Sequence, residues 1–151
     1  MRRAALCLCM ALAGAFAHAA DAPAAAEQAV TRSIQNLLGD PGAYIAVIRQ
    51  VQAAVAAGDA QALSALVSYP ISVTVDGRKQ TLKDTKAFVA AYPRIMTPAI
   101  ATAVREQRYQ DLFVNAQGVM FGRGELWING ICEDKACTRS VPRVVTIQHV
   151  P

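Results

Sequence analysis

Between Met1-Arg2-Arg3 and the small-residue triplet Ala17-His18-Ala19 runs an apolar stretch, Ala4 to Phe16. A positive start, a short apolar run and a small-x-small site are the three parts of a cleavable export signal. The run is shorter than the roughly 20 apolar residues a membrane-spanning helix needs. It also contains Gly14 and leads into a polar stretch from Asp21. Cleavage after Ala19 is therefore expected, with no stable membrane insertion afterwards and a periplasmic or secreted destination. Arg2 and Arg3 lack the longer polar pattern of a twin-arginine signal. Cys7 and Cys9 each follow a leucine, without the small residue a lipidation box requires.

This leader decides what folds. Its removal leaves 151 − 19 = 132 residues, Ala20 to Pro151, enough for one domain with a real core. Residues 20–42 read as a flexible or partly helical N-terminal segment and 43–151 as a single domain. The formal charge falls from +4 to +2 as Arg2 and Arg3 depart, and Arg78-Lys79 is then the one adjacent basic pair. No stripe remains to neutralise a row of phosphates, so nucleic acid is not an expected partner.

The same cut leaves Cys132 and Cys137 out of the four cysteines of the whole chain. In an oxidising compartment two cysteines imply one disulfide. Between them lies the polar Glu133-Asp134-Lys135-Ala136, flanked by the apolar segments Glu125 to Ile131 and Val141 to Val150, which reads as a hairpin clipped at its end. A metal site would need more ligands than His149 and scattered carboxylates supply, and the two-residue spacing of a redox pair is missing. No metal is expected.

Local signals order the rest of the chain. Asp21 to Glu27, alanine-rich with Pro23, reads as a mobile N-terminus before helical periodicity from Glu27 to Leu38. Gly39-Asp40-Pro41-Gly42 is a dense turn signal. Ile45, Ile48, Val51, Gln52 and Val55 then form a stripe at helical spacing, with Gly58 as its stop and Asp59 as the N-cap of a shorter helix through Val67. Tyr69 to Val75 alternates as a half-buried strand, Asp76-Gly77 turns it, and Arg78 to Leu82 returns. Asp84 caps a helix carrying Phe88, Val89 and Tyr92, which Pro93 is expected to bend or end. Ile95 to Gln107 reads as a short helix.

The last third reads as strands: Arg108 to Val114, a turn at Asn115 to Gly118, Val119 to Ile128, and Val141 to Val150. Strict alternation along the middle strand puts Val119, Phe121, Arg123, Glu125 and Trp127 on one face. Gly122 and Gly124 on the other face mark a bulge, a bend or the close approach of another segment.

The expected fold class is α+β, with N-terminal helices packed on a curved antiparallel sheet. That order, together with Leu112-Phe113-Val114-Asn115-Ala116-Gln117-Gly118-Val119-Met120-Phe121-Gly122-Arg123-Gly124-Glu125-Leu126-Trp127-Ile128, resembles the cone-shaped nuclear transport factor 2-like (cystatin-like) fold of small exported bacterial proteins. The likeness in element order covers Ala43 to Val150. It implies a pocket between sheet and helices, in a superfamily that holds isomerases, dehydratases, carriers and interaction modules alike.

Candidate pocket residues are Tyr109, Asp111, Phe121, Arg123, Glu125 and Trp127. A buried carboxylate beside an arginine suits proton transfer, while the same pair on a strand's outer face is an ordinary surface ion pair. Phe121 and Trp127 could stack a ligand or serve as core. With one mature histidine, His149, and no nucleophile elbow, a triad has little to build on. Gly122-Arg123-Gly124 lacks the third glycine and the helix of a dinucleotide fingerprint, so no cofactor is expected.

Two functions follow. One is a non-enzymatic periplasmic binding or protein-interaction domain, with an inhibitor or immunity-type protein among its forms and a small ligand, an envelope protein or a second copy of itself as partner. The other is a small cofactor-free isomerase, dehydratase or hydrolase working through Glu125, Asp111 or Tyr109.

Overall fold

The computed structural model describes residues 21–151; the expected leader, residues 1–19, lies outside the described residues. Five α-helices and six strands follow in the order α1 (Asp21–Leu37), α2 (Pro41–Ala57), α3 (Ala60–Ser64), β1 (Val67–Val75), β2 (Arg78–Leu82), α4 (Thr85–Ile95), α5 (Pro98–Glu106), a 3-10 turn at Tyr109–Asp111, β3 (Phe113–Asn115), β4 (Gly118–Phe121), β5 (Leu126–Cys132) and β6 (Ser140–Ile147). The α+β class holds. No single described helix is long and apolar enough to cross a membrane.

Helix boundaries fall where side chains satisfy free backbone groups. Asp40, Asp59, Asp84 and Thr97 each accept a hydrogen bond from an N–H of the first turn of α2, α3, α4 and α5. Pro41 and Pro98 occupy first-turn positions where the missing N–H costs nothing. Gly58 closes α2 in the left-handed conformation, φ 64°, which glycine adopts without a Cβ clash. Helix α1 already includes Asp21, ahead of the Glu27 at which periodicity begins, because Ala22 and Ala24 to Ala26 are strong helix formers. Pro93 lies inside α4, which runs two residues further to Ile95.

The sheet has the order β2-β1-β6-β5-β4-β3. Four of its pairings are antiparallel, but β1 runs parallel to β6, so the sheet is mixed where an antiparallel one was expected. The β1–β6 register shifts between Val67 and Ser72, a span that contains Pro70, a residue with no N–H for the ladder.

Two further expectations give way in the last third. Arg108 to Val114 is not one strand: Arg108 Nε donates to Asp111 Oδ2 at 2.7 Å and the Asp111 N–H to the Arg108 carbonyl, closing the 3-10 turn before β3 begins. Nor is Val119 to Ile128 continuous. The chain reverses at Gly122-Arg123-Gly124-Glu125, and β4 pairs back on β5 with Phe121 opposite Leu126. Gly122 has φ 61°, and a Cβ there would overlap the Glu125 carboxylate. The glycines thus mark both a bend and a close approach, as read, but the bend is a full hairpin.

One face of the sheet is buried against the helices. Ile71 and Val73 of β1, Val119 and Phe121 of β4, Leu126 and Ile128 of β5, and Val144 and Ile147 of β6 meet Ile48, Val51, Phe88, Ile95, Ile100 and Val104 in a single core. All of them are at most 2% exposed. Burial of this apolar area is what holds the two layers together. The other face is open. One row crosses every strand there, Thr81, Ser72, Thr146, Trp127, Met120 and Phe113 in neighbouring register.

Cys132 and Cys137 form a disulfide, Cα–Cα 4.8 Å, at the turn end of the β5–β6 hairpin, where Cys132 pairs with Ser140. The loop it closes is exposed throughout, and Asp134 orders it by accepting from both the side chain and the N–H of Thr138.

Candidate functional site

The six candidate pocket residues do not converge. Phe121 is a fully buried core side chain. Trp127 points the other way, to the open face beside Met120 and Thr146. Arg123 is exposed in the β4–β5 turn and donates to the carbonyls of Val150 and Pro151. Glu125, half-buried in the same turn, accepts the Arg123 N–H at 2.6 Å. Its carboxylate therefore caps a tight turn and makes no ion pair with the Arg123 guanidinium. Asp111 is exposed and paired with Arg108. Two of the six line cavities, and different ones: Trp127 a hollow on the open sheet face with Gln117 and Gln148, Tyr109 one on the helical side.

The cavity at Tyr109 is a cleft of about 410 Å³ between α1, α2 and the 3-10 turn. Its apolar floor is Ile45 and Ile48, spaced one turn apart on α2. Glu27 and Thr31 of α1 stand on one side, Arg49 and Gln52 of α2 on the other, and Tyr109 closes the end. The i, i+4 spacing sets Glu27 and Thr31 on one face of α1 and Ile45 and Arg49 on one face of α2. A 2.9 Å hydrogen bond between the hydroxyls of Thr31 and Tyr109 ties α1 to the 3-10 turn at that end.

Gln52 anchors the base of the cleft. Its Nε2 donates to the carbonyls of Val104 at 3.1 Å and Gln107 at 2.8 Å, tying α2 to the end of α5. Gln107 in turn accepts the Gly122 N–H on its Oε1 at 2.9 Å. A chain of amides thus runs from the cleft through the end of α5 to the β4–β5 turn and fixes all three relative to one another. In the sequence the one sign of this arrangement is Gln52 itself, a polar side chain set within the apolar stripe of α2. The lining of α1 carries no such sign: Glu27, Gln28 and Thr31 are polar residues at the start of a helical pattern, as any solvated helix face would show.

Burial alters the acidity of two phenols elsewhere. It pushes Tyr44 and Tyr92 above the usual tyrosine value, opposed at Tyr44 by the Gly130 backbone and reinforced at Tyr92 by the Asp59 charge. Neither lines the cleft. Among the described residues no three His, Cys, Asp or Glu side chains gather as a metal site would require.

The chain matches no protein-family model, no curated protein and no solved structure.

Proposed function

We propose that this protein is an exported, non-catalytic binding domain of nuclear transport factor 2-like type that holds a small ligand in the cleft between α1 and α2. One observation carries the reading. The layer between helices and sheet, where an enzyme of that kind keeps its acid or base, is filled by apolar side chains such as Phe121, Ile128, Val144 and Ile147, each 0% exposed. A general base needs a reactive atom within hydrogen-bond reach, and a full core admits no substrate to meet one. Glu125, Asp111 and Tyr109 also lie apart, the first two with their carboxylates already engaged. Export is supported by the leader-like start and by the disulfide.

Xenon under pressure tests the carrying observation, read by methyl NMR. The methyls of Ile128, Val144 and Ile147 are expected to keep their shifts, as an interior without voids has nowhere to hold the gas. Large, saturable shifts there would reveal the hollow cone that the enzymatic reading needs and would overturn this one.

A second reading, a protein partner on the open sheet face with another copy of the chain as the simplest case, is favoured by Phe113. It is 52% exposed beside Met120 and Trp127. Sedimentation equilibrium would show a dimer that Phe113→Asp dissociates; a monomer at all concentrations would remove this reading.

A further inference from the structure

We propose that the ligand of the α1–α2 cleft is a short zwitterionic peptide, its free amino group held by Glu27, Gln52 and Tyr109 and its free carboxylate by Arg49; this rests on the binding-domain reading given above. Thr31 Oγ1 carries one hydrogen and donates it to the Glu27 carbonyl at 2.9 Å. The 2.9 Å contact between the Thr31 and Tyr109 hydroxyls must then use the Tyr109 proton, which leaves the Tyr109 oxygen as an acceptor only. Gln52 spends both Nε2 hydrogens on the Val104 and Gln107 carbonyls. Two carbonyl partners also fix which way this amide points, since carbonyl oxygens cannot donate to Oε1. Its free atom is therefore an acceptor as well.

With the Glu27 carboxylate, the cleft presents three acceptors around an apolar floor, and Arg49 is its one cationic side chain. Among the described residues neither Glu27 nor Arg49 is in an ion pair. A complementary ligand brings several N–H donors on a positive centre, a carboxylate for the planar guanidinium, and a small apolar body to lie on the half-buried Ile45. An ammonium supplies three donors, as many as there are acceptors. The volume of about 410 Å³ sits near the lower end of the roughly 300–1,000 Å³ of small-molecule pockets. That size admits a di- or tripeptide and excludes a folded partner. The rim position of both charges, exposed on either side, selects for free termini at the two ends of a short chain.

Isothermal titration of the purified protein with trialanine, N-acetyl-trialanine and trialanine amide tests this. Trialanine is expected to bind, and blocking either end to weaken binding about tenfold or more. Arg49→Gln should erase the preference for trialanine over its amide while keeping that over the acetyl form, and Glu27→Gln should do the reverse. Both side chains are exposed, and circular dichroism of each variant checks that it is folded. No binding by trialanine, or equal binding of all three forms, would overturn the proposal. Mass spectrometry of the peptide after incubation separates this from the reading beneath it: intact peptide agrees with both, whereas bound peptide that is cleaved would sink the non-catalytic reading and leave the ligand class standing.

Discussion

Helix α2 has two faces that solve different problems. Tyr44, Ile48, Val51 and Val55 are buried in the layer against the sheet. Ile45, Arg49 and Gln52, one residue further round, line the cleft shared with α1. On the first face the side chains are almost wholly withdrawn from solvent, and all but the Tyr44 hydroxyl are apolar. On the second, polar groups sit over an apolar floor, with the amide of Gln52 held by two backbone carbonyls. The contrast is what supports the proposed cleft: an interior packed for stability has no room for a ligand, and a cleft that keeps polar side chains gives up burial that apolar ones would have supplied.

The sharpest way to break that comparison is to exchange the effects of one substitution on each side. Phe121→Ala, in the filled layer, is expected to cost about 3–5 kcal/mol of unfolding free energy in urea, from lost burial and the cavity left behind. Arg49→Gln, on the exposed rim of the cleft, should stay within about 0.5 kcal/mol. If the core variant were nearly neutral, the layer would not be the solid body described above.

Next in size is the covalent clip. Replacing Cys132 and Cys137 by Ser should cost about 2 kcal/mol, the loop-closure entropy of so short a ring. It should leave trialanine binding unchanged, because the β5–β6 loop contributes nothing to the cleft. Thermal unfolding beside titration checks both parts, and a lost binding site would show that the two regions are coupled.

The smallest effect is electrostatic. Hydrogen bonds from the Thr138 side chain and backbone hold the Asp134 carboxyl below its ordinary value. A depressed carboxylate pKa contributes stability above the unfolded-state value and loses it as pH falls through the folded one. In an NMR titration Asp134 should therefore ionise at lower pH than a free aspartate, and Thr138→Ala should move the midpoint up. An unchanged midpoint would mean that the loop is not ordered by this contact.

What could be read from the chain beforehand was whatever local chemistry decides. Gly58, Asp59, the Asp76-Gly77 turn, the Asp84 cap and the cysteine pair each act within a few residues, and each stands where the sequence put it. The β1–β6 parallel pairing joins residues far apart in the chain, and alternation within one strand says nothing about its neighbours. The β4–β5 hairpin escaped for a subtler reason. Apolar and polar residues keep alternating through Gly122 to Glu125, so the pattern reads as unbroken while two glycines at positive φ turn the backbone. That single misreading gathered Arg123, Glu125 and Trp127 onto one face and created a site that the folded chain separates. The cleft stayed unread for the converse reason: it depends on how α1, α2 and the 3-10 turn meet, with Gln52 the one residue out of keeping with its surroundings.

The central claim is that ligand is held outside the packed layer, between α1 and α2. Amide and methyl shift mapping by NMR during a trialanine titration tests it most directly. The account expects shifts gathered at Thr31, Arg49, Gln52 and Tyr109, with Phe121, Ile128 and Val144 unmoved. Shifts centred on that interior or on Glu125, or none anywhere, would contradict it.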